Sequence, residues 1–87
     1  KVPDSFRGSK WKCALAKVLS CHRGKTLHLS QIYSDMSGVP TVRPRFHENR
    51  KNAEAKVRQQ LQALRDMELI ESLGKGYWRI PPGFLTP

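Results

Sequence analysis

The most regular pattern of apolar and polar positions runs through residues 51–66. Its apolar residues recur at helical spacing, namely Ala53, Val57, Leu61 and Leu64. Because 3.6 residues complete one helical turn, this spacing predicts an amphipathic α-helix with a single buried stripe. Asn49 and Asn52 are both suitable N-caps, so the pattern leaves the start of the helix open by one turn.

A first helix is predicted from about Ser9 to the vicinity of Gly24. Its apolar side chains follow i, i+4, i+7 and i+8 spacing, namely Trp11, Leu15, Val18 and Leu19. Gly24 stands where a glycine commonly ends a helix. Residues 26–29 then alternate in polarity and predict a short strand.

A short second helix is predicted over residues 31–36, with Ser30 as its N-cap. Regular structure is then predicted to stop until about Asn49, because three helix breakers follow, namely Gly38, Pro40 and Pro44. We expect this connection to touch phosphates or a partner, since it carries Arg43, Arg45, Phe46 and His47.

The hydrophobic period changes after residue 66. Residues 69–73 and 77–80 predict two short strands, and the residues between them suit a tight turn that needs positive φ, namely Gly74, Lys75 and Gly76. These residues predict a β-hairpin with a basic tip.

The order helix, strand, helix, helix, hairpin is that of a winged helix–turn–helix. The predicted fold class is therefore mainly α with a small β-hairpin, in which three helices carry a wing. Residues 51–67 take the place of the recognition helix, and residues 73–78 that of the wing.

One domain is predicted over residues 9–80. Residues 1–8 are predicted to be a linker or arm, and residues 81–87 a C-terminal tail, from which Phe84 and Leu85 are candidates to dock back. The predicted core is small, consisting of Trp11, Leu15, Val18, Leu19, Ile32, Tyr33, Val57, Leu61, Leu64, Ile70 and Ile80.

The charge of the chain indicates what kind of partner it binds. The 87 residues carry 16 Lys and Arg against 7 Asp and Glu, a formal net charge of +9, and such a basic excess predicts an acidic partner. Residues 43–65 concentrate it, with seven basic side chains against two acidic ones. No apolar run approaches membrane-spanning length, and the basic helix lacks the aromatic face of a membrane-surface helix. Double-stranded DNA is the predicted partner.

The polar face of the helix at residues 51–66 supplies most of the candidate contacts. The side chains predicted to read base edges are Asn52, Ala55, Arg58, Gln59 and Gln62. Those predicted to contact phosphates are Arg43, Arg45, Arg50, Lys51, Lys56, Arg65 and Lys75. The wing adds the aromatic rings of Tyr77 and Trp78. The alternative is a solvated helix face that is basic without binding anything.

No catalytic centre, metal site or cofactor is predicted. The Glu-Ala-Lys sequence at 54–56 matches half of a metal-dependent nuclease motif, but it lies in a helical pattern with no second acid facing it. The Ser-Cys-His sequence at 20–22 lacks the oriented base of a triad. Cys13 and Cys21, taken with His22, do not have zinc-ligand spacing.

Several motifs resemble one known family. They are Asn-Ala-Glu-Ala-Lys-Val-Arg-Gln-Gln-Leu-Gln at 52–62, Leu-Arg-Asp at 64–66, Leu-Ile at 69–70 and Leu-Gly-Lys-Gly at 73–76. Over roughly residues 11–80 the chain resembles the C-terminal winged-helix domain of DpnI-type, Dam-replacing restriction endonucleases. The resemblance implies a module that reads N6-methyladenine in double-stranded DNA, in a short target such as GATC. It also implies a nuclease domain elsewhere in the full-length protein and a bacterial, cytoplasmic location.

Two expectations accompany this resemblance. Ala55 is a small apolar residue within the polar helix face, which makes it the candidate to contact the methyl group, together with the ring of Tyr77 or Trp78. We also expect a monomer.

The alternative function is a winged helix that binds protein or RNA, since a fold alone does not decide function. Such an interaction module would more often present apolar residues on the exposed helix face.

Overall fold

The computed structural model of this protein describes residues 8–85. Along this part of the chain the elements are α1 (Lys10–Ser20), β1 (Thr26–His28), α2 (Leu29–Ser37), α3 (Arg43–Glu48), α4 (Arg50–Asp66), β2 (Glu71–Gly74) and β3 (Tyr77–Arg79). The predicted fold class is confirmed, because a mainly helical chain with a small antiparallel sheet is compatible with a winged helix–turn–helix. The predicted arm at 1–8 lies outside the described residues apart from Gly8, as do the last two residues of the predicted tail.

Helix α4 is the element that the apolar spacing predicts most directly. Its buried residues are the predicted stripe, Ala53, Val57, Leu61 and Leu64, and they face α1 and α3. Asn49 is the N-cap, since its side chain accepts a hydrogen bond from the backbone N–H of Asn52 at 3.1 Å. Asn52 therefore lies in the first turn of the helix, with its side chain exposed.

Helix α3 corrects the prediction of an irregular connection before Asn49. Pro44 lies in the first turn of this helix, where the missing N–H of proline has no intrahelical partner to lose. Phe46 is 7% exposed, and Val42, just before the helix, is fully buried. Four helices rather than three are therefore present among the described residues, and Phe46 belongs to the core instead of a partner-touching loop.

The three strands pair in the order β1-β3-β2, all antiparallel, within the described part of the chain. The predicted hairpin is present, but β2 begins at Glu71 rather than at Leu69. The cause lies at the end of α4, where Glu68 has a φ of 61° and the N–H of Leu69 donates to the carbonyl of Leu64 at 3.0 Å. This Schellman closure turns the chain before the strand can start, and Ile70 enters the core from the connection.

The hydrophobic core lies between the helices and the inner face of the sheet. Of the eleven predicted core residues, Trp11 and Tyr33 are only partly buried, and the other nine are buried. The large core residues absent from that predicted set are Leu27, Met36, Val42, Phe46, Trp78 and Phe84. Phe84 thus docks back onto the domain, and Arg23 holds its backbone carbonyl through a hydrogen bond from Nε at 2.6 Å.

Candidate nucleic-acid interface

The exposed face of α4 carries the residues that were predicted to read base edges. Because the buried stripe packs one side of the helix inward, the opposite side must face solvent. The side chains exposed there are Asn52, Arg58, Gln59 and Gln62, and Ala55 among them is partly buried. All of the predicted readout residues are therefore accessible from one direction.

An open depression of about 390 Å³ lies along the first half of this face. It is lined by Asn49, Lys51, Asn52, Ala55 and Arg58. The structure thus brings three of the predicted readout residues together with one predicted phosphate contact. Gln59 and Gln62 lie outside this depression, further along the helix. We call it the Ala55 depression.

Arg58 is held in place by a neighbouring helix. Its Nη1 donates a hydrogen bond to the hydroxyl oxygen of Tyr33 on α2 at 2.9 Å. Tyr33 was predicted to be a core residue, yet it is partly exposed and its hydroxyl supports a candidate readout side chain. Sequence spacing could not reveal this role, because the two residues lie 25 positions apart.

The seven predicted phosphate contacts are all exposed, namely Arg43, Arg45, Arg50, Lys51, Lys56, Arg65 and Lys75. Three of them form ion pairs along the surface, Arg45 with Glu48, Arg50 with Glu54, and Arg65 with Asp66, at 3.6, 3.0 and 3.3 Å. Exposed pairs of this kind contribute little to stability, so a phosphate can displace the carboxylate at small cost. The other four have no carboxylate within salt-bridge distance among residues 8–85.

The two aromatic residues of the wing have different surroundings. Tyr77 is 47% exposed, whereas Trp78 is 8% exposed. Successive side chains of a strand point to opposite faces, and β3 buries the face that carries Trp78, opposite Leu27 of β1. The structure therefore places Trp78 in the core, and Tyr77 is the aromatic ring of this pair that the wing presents. The ring of Tyr77 packs edge-on against His28, with centroids 4.9 Å apart.

A basic residue also marks the tip of the wing. Lys75 lies there with a φ of 53°, between Gly74 and Gly76 with φ values of 82° and 83°. Three successive positive φ values reverse the chain within the turn, which projects the exposed Lys75 side chain from the hairpin end.

Several acidic and histidine side chains make local contacts. Glu54, of the Glu-Ala-Lys sequence, accepts from Nε of Arg50 at 3.0 Å, and His22 lies 3.0 Å from a carboxylate oxygen of Asp35. Within residues 8–85, no three His, Cys, Asp or Glu side chains are grouped so that they could hold a metal ion. None of the helices in this same range is both long and apolar enough to span a membrane.

Comparison with known proteins identifies one family. The model of the Dam-replacing HTH domain matches residues 9–80. No curated protein and no solved structure gives a significant match. The match covers most of the 87-residue chain and includes α1 through β3, together with every predicted contact residue. A helix–turn–helix domain of this family implies DNA binding, and no catalytic centre is expected in so small a domain. The chain therefore belongs to the family of Dam-replacing helix–turn–helix domains.

Proposed function

We propose that this domain reads N6-methyladenine in a short duplex target such as GATC, with α4 in the major groove. The observation that carries the proposal is the Ala55 depression, in which one apolar residue lies among Asn52, Lys51 and Arg58 on an exposed helix face. An α-helix fits the major groove of B-form DNA, where each base pair presents a distinct pattern of donors and acceptors.

The roles of the polar residues follow from their chemistry. Asn52 and Gln59 can each pair bidentately with an unmethylated adenine, and Arg58 with the two acceptors of guanine. Gln62 extends the same exposed face by one turn. The phosphate contacts are Arg43, Arg45, Arg50, Lys51, Lys56, Arg65 and Lys75, which set the register of the helix on the duplex without reading sequence.

Ala55 is assigned to the methyl group. When adenine N6 keeps one hydrogen for base pairing, the methyl group takes the place of the second hydrogen in the major groove. A polar side chain held against that methyl would lose a hydrogen-bonding partner, whereas an apolar one gains contact. Ala55 is partly buried within the depression, and the exposed ring of Tyr77 is the second candidate to reach the methyl group.

The surface chemistry supports DNA over a protein partner. The exposed large hydrophobic residues within residues 8–85 are Met67, Leu73 and Tyr77. They lie just beyond the end of α4 and on the hairpin, so the exposed face of α4 remains polar. A helix face that docks onto protein carries more aromatic and aliphatic surface at its centre.

The resemblance to Dam-replacing endonucleases supports a wider role. We infer that this domain supplies target specificity to a nuclease domain elsewhere in the full-length protein, as part of a restriction–modification system in a bacterial cytoplasm. We also infer that it binds as a monomer.

The test compares binding to GATC duplexes with and without N6-methyladenine at one salt concentration. The native domain should prefer the methylated duplex by about 1 kcal/mol for each buried methyl group, on the scale of apolar burial. Ala55→Asn should lose this preference, because the amide side chain would occupy the methyl contact. Ala63→Asn is the matched control, since it places the same residue in α4 outside the Ala55 depression.

Two outcomes would contradict parts of the proposal. Equal affinity of the native domain for both duplexes would remove methyl reading altogether. A preference that survives in Ala55→Asn would move the methyl contact to Tyr77. An RNA duplex of the same sequence belongs in the series, because tighter binding to it would favour the RNA-binding alternative.

A further inference from the structure

A second depression lies beside the first, where the start of α1 meets α3 and the first two turns of α4. It has a volume of about 330 Å³, and its polar and aromatic lining consists of Trp11, Arg45, Glu48, Asn49, Asn52 and Lys56. Asn49 and Asn52 also line the Ala55 depression, so the two are adjacent. We call the second one the Trp11 cleft.

The groups that the Trp11 cleft offers to a ligand are mostly donors. The amide oxygen of Asn49 is already occupied by the backbone N–H of Asn52 at 3.1 Å, which leaves its NH2 group. Lys56 is exposed and has no carboxylate partner among the described residues. Trp11 can contribute only its indole N–H, since the indole ring has no hydrogen-bond acceptor.

The acidic wall of the cleft does not change this balance. Glu48 is the acidic lining residue, and its Oε2 lies 3.6 Å from Nη1 of Arg45. These two side chains offset each other in charge, so Lys56 leaves the cleft with a net positive charge. A donor-rich, positive cleft suits a ligand that has acceptors, carries negative charge and has no donors.

The DNA backbone has this chemistry, whereas base edges present donors as well as acceptors. We propose that the Trp11 cleft binds a phosphodiester group of the DNA strand that flanks the bases read by α4. This proposal rests on the proposed function, which places α4 on DNA. It adds Trp11 and Asn49 to the interface and makes the start of α1 a second point of attachment beside the Ala55 depression.

Tryptophan fluorescence tests directly whether bound DNA covers the Trp11 cleft. Trp11 lines the cleft, whereas Trp78 is buried in the core, so acrylamide should quench mainly Trp11 in the free domain. Adding a GATC duplex should protect the native domain from quenching. Trp11→Phe keeps an aromatic ring beside Phe46, whose centroid lies 6.2 Å from that of Trp11, and this variant should show no such protection. The anisotropy of a labelled duplex in the same samples establishes that DNA is bound.

A pair of lysine variants tests whether the group bound in the Trp11 cleft is a phosphate. Lys56→Gln should lower the slope of log K against log salt by about 0.9, the value for one lost phosphate contact. Lys17→Gln removes the same charge from the exposed end of α1, outside the cleft, and should leave the slope unchanged. Replacing one phosphate of the duplex by an uncharged methylphosphonate at the contacted position should weaken DNA binding by the native domain and by the Lys17→Gln variant. The same replacement should not weaken DNA binding by the Lys56→Gln variant.

The results separate this proposal from the proposed function. If the domain binds the duplex with a steep salt dependence, but Trp11 stays equally quenched and the two lysine variants behave alike, the Trp11 cleft is not a backbone site. If the native domain does not bind the duplex, both the cleft assignment and the proposed function are overturned.

Discussion

A single hydrogen bond to a neighbouring helix restrains the flexible side chain of Arg58 in the free domain. Its guanidinium donates to the hydroxyl of Tyr33 at 2.9 Å, although both residues are at least partly exposed. Ordering a side chain with many rotamers at an interface costs roughly 0.5–1.5 kcal/mol. Under the proposed function, in which Arg58 contacts a base, the bond to Tyr33 meets part of this cost before DNA binds.

We expect Tyr33→Phe to reduce discrimination without reducing general affinity. The substitution keeps the ring and removes the hydroxyl that accepts from Arg58. Binding to the preferred duplex should weaken by about 1 kcal/mol, the usual net value of one hydrogen bond. Binding to an unrelated duplex should stay the same, because no charge is lost. Anisotropy titrations against both duplexes at one salt concentration measure the two effects.

A double-mutant cycle provides the control for this prediction. Arg58→Ala alone should cost roughly 1–3 kcal/mol on the preferred site, the range for a bidentate base contact. In the Arg58→Ala background, Tyr33→Phe should have no further effect on binding, since the partner of its hydroxyl is gone. Fully additive losses would show that Tyr33 acts independently of Arg58.

At the scale of elements, the end of α4 sets the position of the wing relative to the helix. Glu68 adopts a φ of 61°, and its N–H donates to the carbonyl of Arg65 at 2.8 Å. Together with the bond from Leu69 to Leu64, this forms the Schellman closure described above. A glycine is the usual residue in this conformation, because a side chain with a Cβ atom is strained there.

Glu68→Gly should therefore stabilise the domain. The left-handed conformation costs a residue with a Cβ roughly 1–2 kcal/mol, of which the greater flexibility of glycine in the unfolded chain cancels part. We expect a net gain of about 0.5–1 kcal/mol in the free energy of unfolding, measured by urea denaturation. Glu68→Ala is the matched control, since it removes the same charge and keeps the strain. An equal gain in both variants would assign the effect to charge.

At the scale of the whole molecule, charge is the dominant feature. The chain has a net charge of +9, and eight of its sixteen basic residues lie on α3, α4 and the tip of the hairpin, where the predicted phosphate contacts are all exposed. The carboxylates paired with Arg45, Arg50 and Arg65 lie on the surface as well. Because such pairs are weak, the same arginines remain able to bind phosphates.

The affinity for duplex DNA should consequently depend steeply on salt. Each neutralised phosphate adds about −0.9 to the slope of log K against log salt, so the seven proposed phosphate contacts give a slope of about −6. Titrations of one duplex over a series of salt concentrations measure this slope. A nearly flat dependence would exclude the DNA backbone as the main contact surface.

The sequence by itself determined those features that depend on local periodicity. Val57, Leu61 and Leu64 lie on one side of any α-helix that includes them, so the buried stripe of α4 and its opposite polar face could be predicted without tertiary information. The turn at Lys75 was also predictable, because its neighbouring glycines permit the positive φ values of a tight hairpin. The resemblance of residues 52–76 to one family likewise required only sequence.

Tertiary structure decided which of several apolar residues occupy the core. Trp11 and Phe46 are both large and apolar, yet packing encloses Phe46 and leaves Trp11 at the edge of a cleft. Tyr77 and Trp78 are neighbours in β3, and the pairing of this strand with β1, about fifty residues earlier, determines that Trp78 faces inward. Local spacing defines the faces of an element, but only the packing of distant segments determines which face loses contact with water.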